Sequence, residues 1–346
     1  MRLVIYNLET NLDSSVLAAA HDWIEAFATQ VDQVVVYSTH VGRYALAANV
    51  EVYEIGGGSV LKRITAVTRL LKSFKREVSF RRDLVVFHHM STRTLLILGP
   101  LYRIFRVKQA LWYSHSKKSL TLRVSHSLAD VIFSSNRSSI PLNGDKLRFV
   151  GHGLKSSRFI SAFSNSKGTR SGIVILGRLA PIKRIELLLG AIVEAKLGKV
   201  ALTCIGSSQG NDKYQRDLSF NAGSKGVDLQ ILHPIPYGTV AEKLVEFDSI
   251  YTGTPKSVDK AVIEGAMCGC FVLTTEFQTL KQTGMDLVLD HMGFRGIPSL
   301  PDQLKAILDL REDQKLELRR VISKRAAELN DVGQATSRIL AELERI

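Results

Sequence analysis

The sequence predicts an α/β protein made of two doubly wound, parallel-sheet domains, and three observations carry that prediction. At 346 residues the chain is longer than one such domain needs. Short apolar runs of strand type alternate with segments of helical periodicity along both halves. Between the halves lies a Ser-, Asn-, Lys- and Gly-rich stretch, Ser161 to Ser171, which reads as a linker and sets the domains at 1–160 and 161–346. Hydrophobic residues at 45% and charged residues at 23% suit full globular cores. No apolar run is long enough to span a bilayer, and MRLVIYNLE reads as a first strand rather than a leader, so a cytoplasmic protein is expected. Cys204, Cys268 and Cys270 lie in apolar segments and read as buried, reduced residues; nothing completes a metal or redox site around Cys268 and Cys270.

In the first half, Arg2 to Leu8 forms a strand and Val16 to Ala28 a helix, with Asp13, Ser14 or Ser15 as its cap. Strands follow at 34–38 and 50–55, then a break at Gly56-Gly57-Gly58. From Leu61 to Asp83 the spacing predicts a basic amphipathic helix. Its apolar face is Leu61, Ile64, Val67, Leu70, Leu71 and Phe74, and Lys62, Arg63, Arg69, Lys72, Lys75 and Arg76 fill much of the remainder. Such a helix either packs on the sheet with its cations solvated or lies against an anionic membrane. The strand Leu84 to Phe87 ends at His88-His89. After a helix over 91–105, the strand Gln109 to Tyr113 runs into Ser114-His115-Ser116. A histidine just past a strand end is a common position for a catalytic or substrate-binding group, although histidines also cap helices and fill polar pockets, and His89 and His126 share that ambiguity. A helix over 119–129 and strands at 131–134 and 147–150 complete the half.

The second half opens on Gly172 to Glu186, GIVILGRLAPIKRIE. A buried parallel strand that ends in a glycine turn and feeds a helix places its turn at the carboxyl edge of the sheet, where open α/β sheets bind ligands. Gly177, Arg178 and Lys183 there form a candidate anion site, with helix N–H groups and two full charges; an ordinary turn with solvated cations is the alternative. Strands follow at 200–205, 229–232, 249–252 and 271–275, alternating with helices at 212–221, 240–247 and 258–269, and helices run from Leu304 to the end.

Charge is unevenly divided. Residues 1–160 carry 22 Lys and Arg against 11 Asp and Glu, whereas 161–346 carry 24 against 22. The basic half implies an anionic partner. It has neither interleaved exposed aromatics nor a helix-turn-helix or RNP pattern, which argues against nucleic acid as that partner. The absence of G-x-G-x-x-G after the first strand argues against a nicotinamide dehydrogenase.

Three segments in order, GRLAPIK, ILHPIP and SVDKAVIEGAMCGCFVLTTE, resemble the donor lobe of family 4 glycosyltransferases, retaining enzymes of the two-lobed GT-B fold. In the first half, ALWYSHSKKSLTLRVSHSLADVIFSSN and FVGHGLKSSRF extend the resemblance, which covers most of the chain and is strongest from Trp112 to Glu276. The resemblance implies two Rossmann-like lobes facing across a cleft, an N-terminal acceptor domain (1–160) and a C-terminal nucleotide-sugar domain (161–346) with terminal helices. It implies that Gly177, Arg178 and Lys183 hold the donor diphosphate and stabilise its growing charge. Glu264 would accept the ribose hydroxyls, with an ordinary helix N-terminal carboxylate as the alternative. His233, Pro234 and Ile235 would line a uracil or guanine base, and His115 would donate to the donor sugar or leaving phosphate. The first glutamate of the family's Glu-x7-Glu motif is replaced by Lys256; Asp259 and Lys260 are the substitutes for donor-sugar contacts.

No Asp-x-Asp triplet occurs, which fits a metal-independent reaction in which protein cations neutralise the leaving group. The implied protein uses no cofactor and takes a UDP- or GDP-linked sugar as co-substrate. It moves that sugar with retention to a glycan or lipid-linked acceptor of cell-surface polysaccharide, lipopolysaccharide or glycolipid synthesis, and an anionic membrane surface is a further partner. A sugar-nucleotide epimerase of similar fold is the competing reading.

Overall fold

The structure is a computed structural model that describes residues 1–14, 17–56, 60–116, 118–197, 200–208, 210 and 212–346; the side chains of 60–64 are not described. Ser15 and Val16 of the predicted first helix, Gly57 and Gly58 of the glycine break, and Lys117 lie outside the described residues, as do the side chains of Leu61, Lys62, Arg63 and Ile64. The chain divides into two compact units, Met1–Lys155 with Asp331–Ile346, and Ser156–Asn330. The sheet topology and the helices that cover it are those of a two-unit α/β protein, as the alternating pattern predicts.

The first unit holds seven parallel strands: β1 (Arg2–Thr10), β2 (Gln33–Val41), β3 (Val50–Glu54), β4 (Leu84–His89), β5 (Lys108–Trp112), β6 (Val131–Ser134) and β7 (Leu147–Phe149). Their order is β3-β2-β1-β4-β5-β6-β7. The central strand β1 is buried on both faces, which is why Leu3 to Tyr6 reads as a continuous apolar run. On one face α1 (Ala19–Ala28) and the C-terminal helix α14 (Val332–Arg345) pack Trp23, Phe27, Ile339 and Leu343 against Ile5, Val36 and Phe87. The other face is covered by α2 (Val60–Glu77), α3 (Thr92–Ile104) and α4 (Leu120–Leu128).

Three placements differ from the sequence reading. The stretch read as a linker is in part helical: α5 (Ser156–Asn165) begins the second unit, because Phe159 is fully buried and Phe163, one turn on, lies under Arg170. The last helix, expected with the second half, belongs to the first unit, where its apolar stripe completes the core around Trp23. In α2, Val67 and Leu71 are 42% and 44% exposed, whereas Leu70, Ser73 and Glu77 point inward. Glu77 accepts from Arg2 Nε and Tyr37 Oη, both at 2.7 Å, and Ser73 meets Tyr6 Oη at 2.8 Å. Leu70 and Phe74 of the predicted apolar face do pack inward, but the inward stripe is completed by polar Ser73 and Glu77, so apolar spacing identified only part of it.

The second unit holds β8 (Ile173–Leu176), β9 (Ala201–Ile205), β10 (Asp228–Leu232), β11 (Ser249–Tyr251) and β12 (Phe271–Leu273), all parallel, in the order β10-β9-β8-β11-β12. The connections run outward from β8 in both directions, through α6 (Ile185–Glu194) and α7 (Asp212–Ser224) on one side and α8 (Val240–Leu244) and α9 (Lys260–Met267) on the other. Right-handed crossovers then put these two pairs on opposite faces, and the strand order reverses between β8 and β11. Helices α10 (Phe277–Thr283), α11 (Met285–His291), α12 (Leu300–Leu308) and α13 (Glu312–Asn330) follow. The three cysteines are unpaired and buried.

Candidate functional site

The end of β8 is shaped by two glycines. Gly177 adopts φ +114°, a conformation that disfavours any side chain, and its N–H donates to the Ile205 carbonyl at 2.9 Å. A Cβ on Gly206, at the end of β9, would lie 1.9 Å from the Gly177 carbonyl oxygen, so the two loops touch backbone to backbone. Pro181 then starts a single 3-10 turn through Lys183, and Arg184, left-handed at φ 49°, caps α6. The Gly253 N–H donates to the Lys183 carbonyl at 3.2 Å, and the Tyr251 hydroxyl donates to the Arg184 carbonyl at 2.8 Å. The loop after β8 is thereby tied to the loop after β11, across the switch point where open α/β sheets bind ligands.

At that crossing three donors meet one oxygen. Lys183 Nζ lies 2.8 Å from Asp259 Oδ2, and the same oxygen accepts from Thr252 Oγ1 at 2.5 Å and Thr254 Oγ1 at 2.8 Å. Burial penalises the Asp259 charge, but the Lys183 ammonium and the two hydroxyls outweigh it and hold the carboxyl below its usual range. The ammonium lies 3.7 Å from where a Gly177 Cβ would be, so it sits against the glycine turn. Lys183 and Asp259 side chains retain 13% and 19% exposure, enough for a ligand oxygen to reach them.

A second cluster lies on α9. Lys260 Nζ is 3.3 Å from Glu264 Oε1 and 4.2 Å from the centroid of the Tyr237 ring, whose other cationic neighbour is Arg158, at 4.9 Å. Glu264 is 2% exposed, and its Oε1 has no hydrogen-bond partner among the described residues, because the lysine approaches off the hydrogen-bond direction. Glu264 is the fifth residue of α9, beyond the first turn in which a helix dipole favours a carboxylate.

The structure brings Gly177, Lys183 and Asp259 together, and separately Lys260 and Glu264. His233 and Pro234 are exposed and Ile235 half-buried in the segment leading to Tyr237, while Arg178 is exposed beside Gly177. Lys256 is exposed at φ 54°, its N–H donating to Glu276 Oε2 at 3.0 Å. His115 belongs to the first unit, exposed after β5, with its ring 6.5 Å from that of Tyr113. His89, by contrast, is packed among the Trp23, Phe87 and Trp112 rings. Sequence reasoning missed Thr252, Thr254, Tyr237 and Glu276. The first two follow a strand end directly, which is the one local signal available for them; the others act through contacts distant in sequence.

The class of fold is settled by comparison with solved structures. The chain is similar to a glycosyltransferase from Rickettsia africae, at TM-score 0.75 and 8% identity over 99% of this chain and 98% of that one. It is also similar to Anabaena Alr3699/HepE, solved in complex with UDP-glucose (TM-score 0.69, 13% identity, 99% and 100% covered). A third likeness is to the sucrose-phosphate synthase of Thermosynechococcus elongatus (TM-score 0.69, 13% identity, 100% and 98% covered). The fold is therefore the α/β fold of the GT-B glycosyltransferases, along the full chain. No protein-family model matches the chain, and no curated protein matches it in sequence.

Proposed function

We propose that the protein is a glycosyltransferase that takes a sugar from a UDP- or GDP-linked donor held by the second unit. The observation that carries this reading is the convergence of Lys183, Thr252 and Thr254 at the switch point, beside a glycine turn that leaves room for phosphate oxygens. Lys183 and Arg178 bind the diphosphate, and Asp259 holds the Lys183 ammonium in place while the site waits for its ligand. Glu264 accepts the ribose hydroxyls, which supply the donors that its buried oxygen lacks. His233 to Ile235 line the base, and Lys260 contacts the donor sugar. HepE, which was solved with UDP-glucose, supports a nucleotide sugar as the ligand.

The reaction on this reading retains configuration and uses no metal. The acceptor oxygen bonds to the anomeric carbon on the face from which the diphosphate departs, the bond from that carbon to the phosphate oxygen breaks, and the acceptor proton passes to the leaving phosphate. Lys183 and Arg178 stabilise the charge that develops there, and His115 is the first unit's contribution, a hydrogen bond to the sugar or the leaving phosphate. The acceptor is a glycan or lipid-linked precursor of a cell-surface polymer, bound by the basic first unit at the inner face of the membrane.

A thermal-shift screen of nucleotides and nucleotide sugars tests this, run with chelator present. UDP or GDP and one of their sugars are expected to raise the melting temperature of the native protein and not of Lys183→Ala. Failure of every diphosphate nucleotide to do so would overturn the reading.

A further inference from the structure

The outer surface of the first unit carries a second feature. Helix α3 lies between α2 and α4 on one face of the sheet: the Phe105 ring, just past α3, meets Phe74 of α2 at 5.6 Å, and Arg103 of α3 donates to the Ser127 carbonyl of α4 at 2.9 Å. These helices carry apolar residues on both sides. Inward, Leu70, Leu95, Leu98 and Leu122 fill the core. Outward, Val67 and Leu71 of α2, Ile97 and Ile104 of α3, and Leu120 and Val124 of α4 are exposed, Ile104 by 73% and Leu120 by 76%.

The same outward surface carries charge of one sign. Lys72, Lys75, Arg93, Arg106, Lys118 and Arg123 are exposed and make no ion pair among the described residues. Neither α3 nor α4 contains an acidic residue, and the one acid of α2, Glu77, is fully buried beneath Arg2 and Tyr37. An ordinary solvated helix face mixes the signs, as α13 does in this chain with Glu312, Asp313, Lys315, Glu317 and Arg320. Exposed aliphatic side chains among cations that make no ion pair among the described residues, with no exposed acid on the three helices, match an anionic lipid surface: the cations meet headgroups and the aliphatic tips enter the acyl boundary. A nucleic acid would use the charge but gain nothing from Ile104 and Leu120, and this face offers no row of aromatic rings for bases. Among the described residues no helix is long and apolar enough to cross a membrane, so the contact is peripheral.

We propose that the α2–α3–α4 face of the first unit is a docking surface for anionic membranes. This deepens the membrane part of the function proposed above and does not depend on the transfer chemistry. The full chain is mixed with vesicles of phosphatidylcholine, with or without phosphatidylglycerol, at about 0.1 M and about 1 M salt, where the screening length falls from about 10 Å to about 3 Å. Binding to the anionic vesicles alone is expected, weakened by high salt. Arg93→Gln with Arg123→Gln lowers the partition about thirtyfold, and a tryptophan introduced as Ile104→Trp shifts its emission to the blue on the vesicles. All three substitutions are at exposed positions, and melting curves with and without UDP check that the variants fold and keep the nucleotide site. No sedimentation with anionic vesicles at low salt overturns the proposal, as does binding unchanged by the arginine substitutions, an unshifted Ile104→Trp emission, or displacement of the protein from vesicles by a short RNA. Loss of the UDP response in the parent protein, with vesicle binding intact, would sink the transferase reading and leave the docking surface standing.

Discussion

Removing the Lys183 side chain should damage stability and ligand binding by separable amounts. In Lys183→Ala, Asp259 keeps its two threonine donors but loses its cation. Breaking a fully buried pair costs about 3–5 kcal/mol. Here both partners keep some exposure and two hydroxyls remain, so the cost is about 2 kcal/mol, a fall of about 4–8 °C in melting temperature for a unit of this size. Adding Asp259→Asn removes the stranded charge and should bring stability back to within about 1 kcal/mol of the parent. Nucleotide affinity behaves differently. A charge-assisted contact to phosphate is worth about 1.5–3 kcal/mol, so UDP should bind Lys183→Ala about 10- to 150-fold more weakly, and the double variant no better. Urea unfolding and calorimetric titration with UDP and GDP read the two quantities. A Lys183→Ala protein as stable as its parent would refute the pairing with Asp259. Unchanged affinity for every nucleotide that the parent binds would refute the assignment of the diphosphate to this loop.

Other outcomes follow from single contacts. Gly206→Ala drives a Cβ into the Gly177 carbonyl and should cost about 3 kcal/mol, with a parallel loss of nucleotide affinity. Gly190→Ala in α6, where a Cβ meets nothing within 4 Å, is the control and should stabilise by about 0.5–1 kcal/mol. Burial pushes His88 down to about 3 and His89 down to about 4, so both rings are neutral in the folded state. Their contribution is full above the ordinary histidine value near 6.5 and is lost as pH falls below it, at about 1.4 kcal/mol per pH unit for each ring until its folded value is reached. Urea midpoints measured from pH 7 to pH 5 check this; His89→Gln should flatten the slope by about half, and an unchanged slope would show that other groups set the acid limit.

Strands were legible because parallel strands buried on both faces leave continuous apolar runs such as Ile173 to Leu176 and Phe271 to Leu273. The loop after β8 was legible because its glycine and proline have local jobs, a φ of +114° at Gly177 and the start of a 3-10 turn at Pro181. What could not be read were pairings across the chain. Lys183 and Asp259 stand 76 positions apart, and no local pattern says that a carboxylate first assigned to the donor sugar spends one oxygen on a lysine of another loop. The partner of α14 is likewise non-local: its amphipathic stripe is visible in the sequence, but the core it covers, around Trp23, is not. In α2 the pattern misled, because Ser73 and Glu77 are buried by partners on β1 and β2 while Val67 and Leu71 face outward. Leu70 and Phe74 of the same predicted face are inward, so the apolar residues of α2 divide between the core and the outer side.

On the function proposed above, Glu264 would separate recognition of the nucleoside from recognition of the phosphates. Its carboxylate is buried, it lies beyond the first turn of α9, and one oxygen lacks a hydrogen bond among the described residues. Leaving a buried charged acceptor short of donors costs about 1–3 kcal/mol or more, so a fold that needed only packing here would be better served by glutamine. Glu264→Gln should therefore leave stability unchanged or raised, yet weaken UDP binding about tenfold through loss of charge-assisted bonds to the ribose hydroxyls. Pyrophosphate, which has no ribose, should bind both proteins alike. A 2′,3′-dideoxy nucleotide should bind the parent about as weakly as UDP binds the variant, and the variant should hardly distinguish the two. If Glu264→Gln weakens pyrophosphate and UDP equally, the carboxylate acts by holding Lys260, 3.3 Å away, and the ribose must be bound elsewhere.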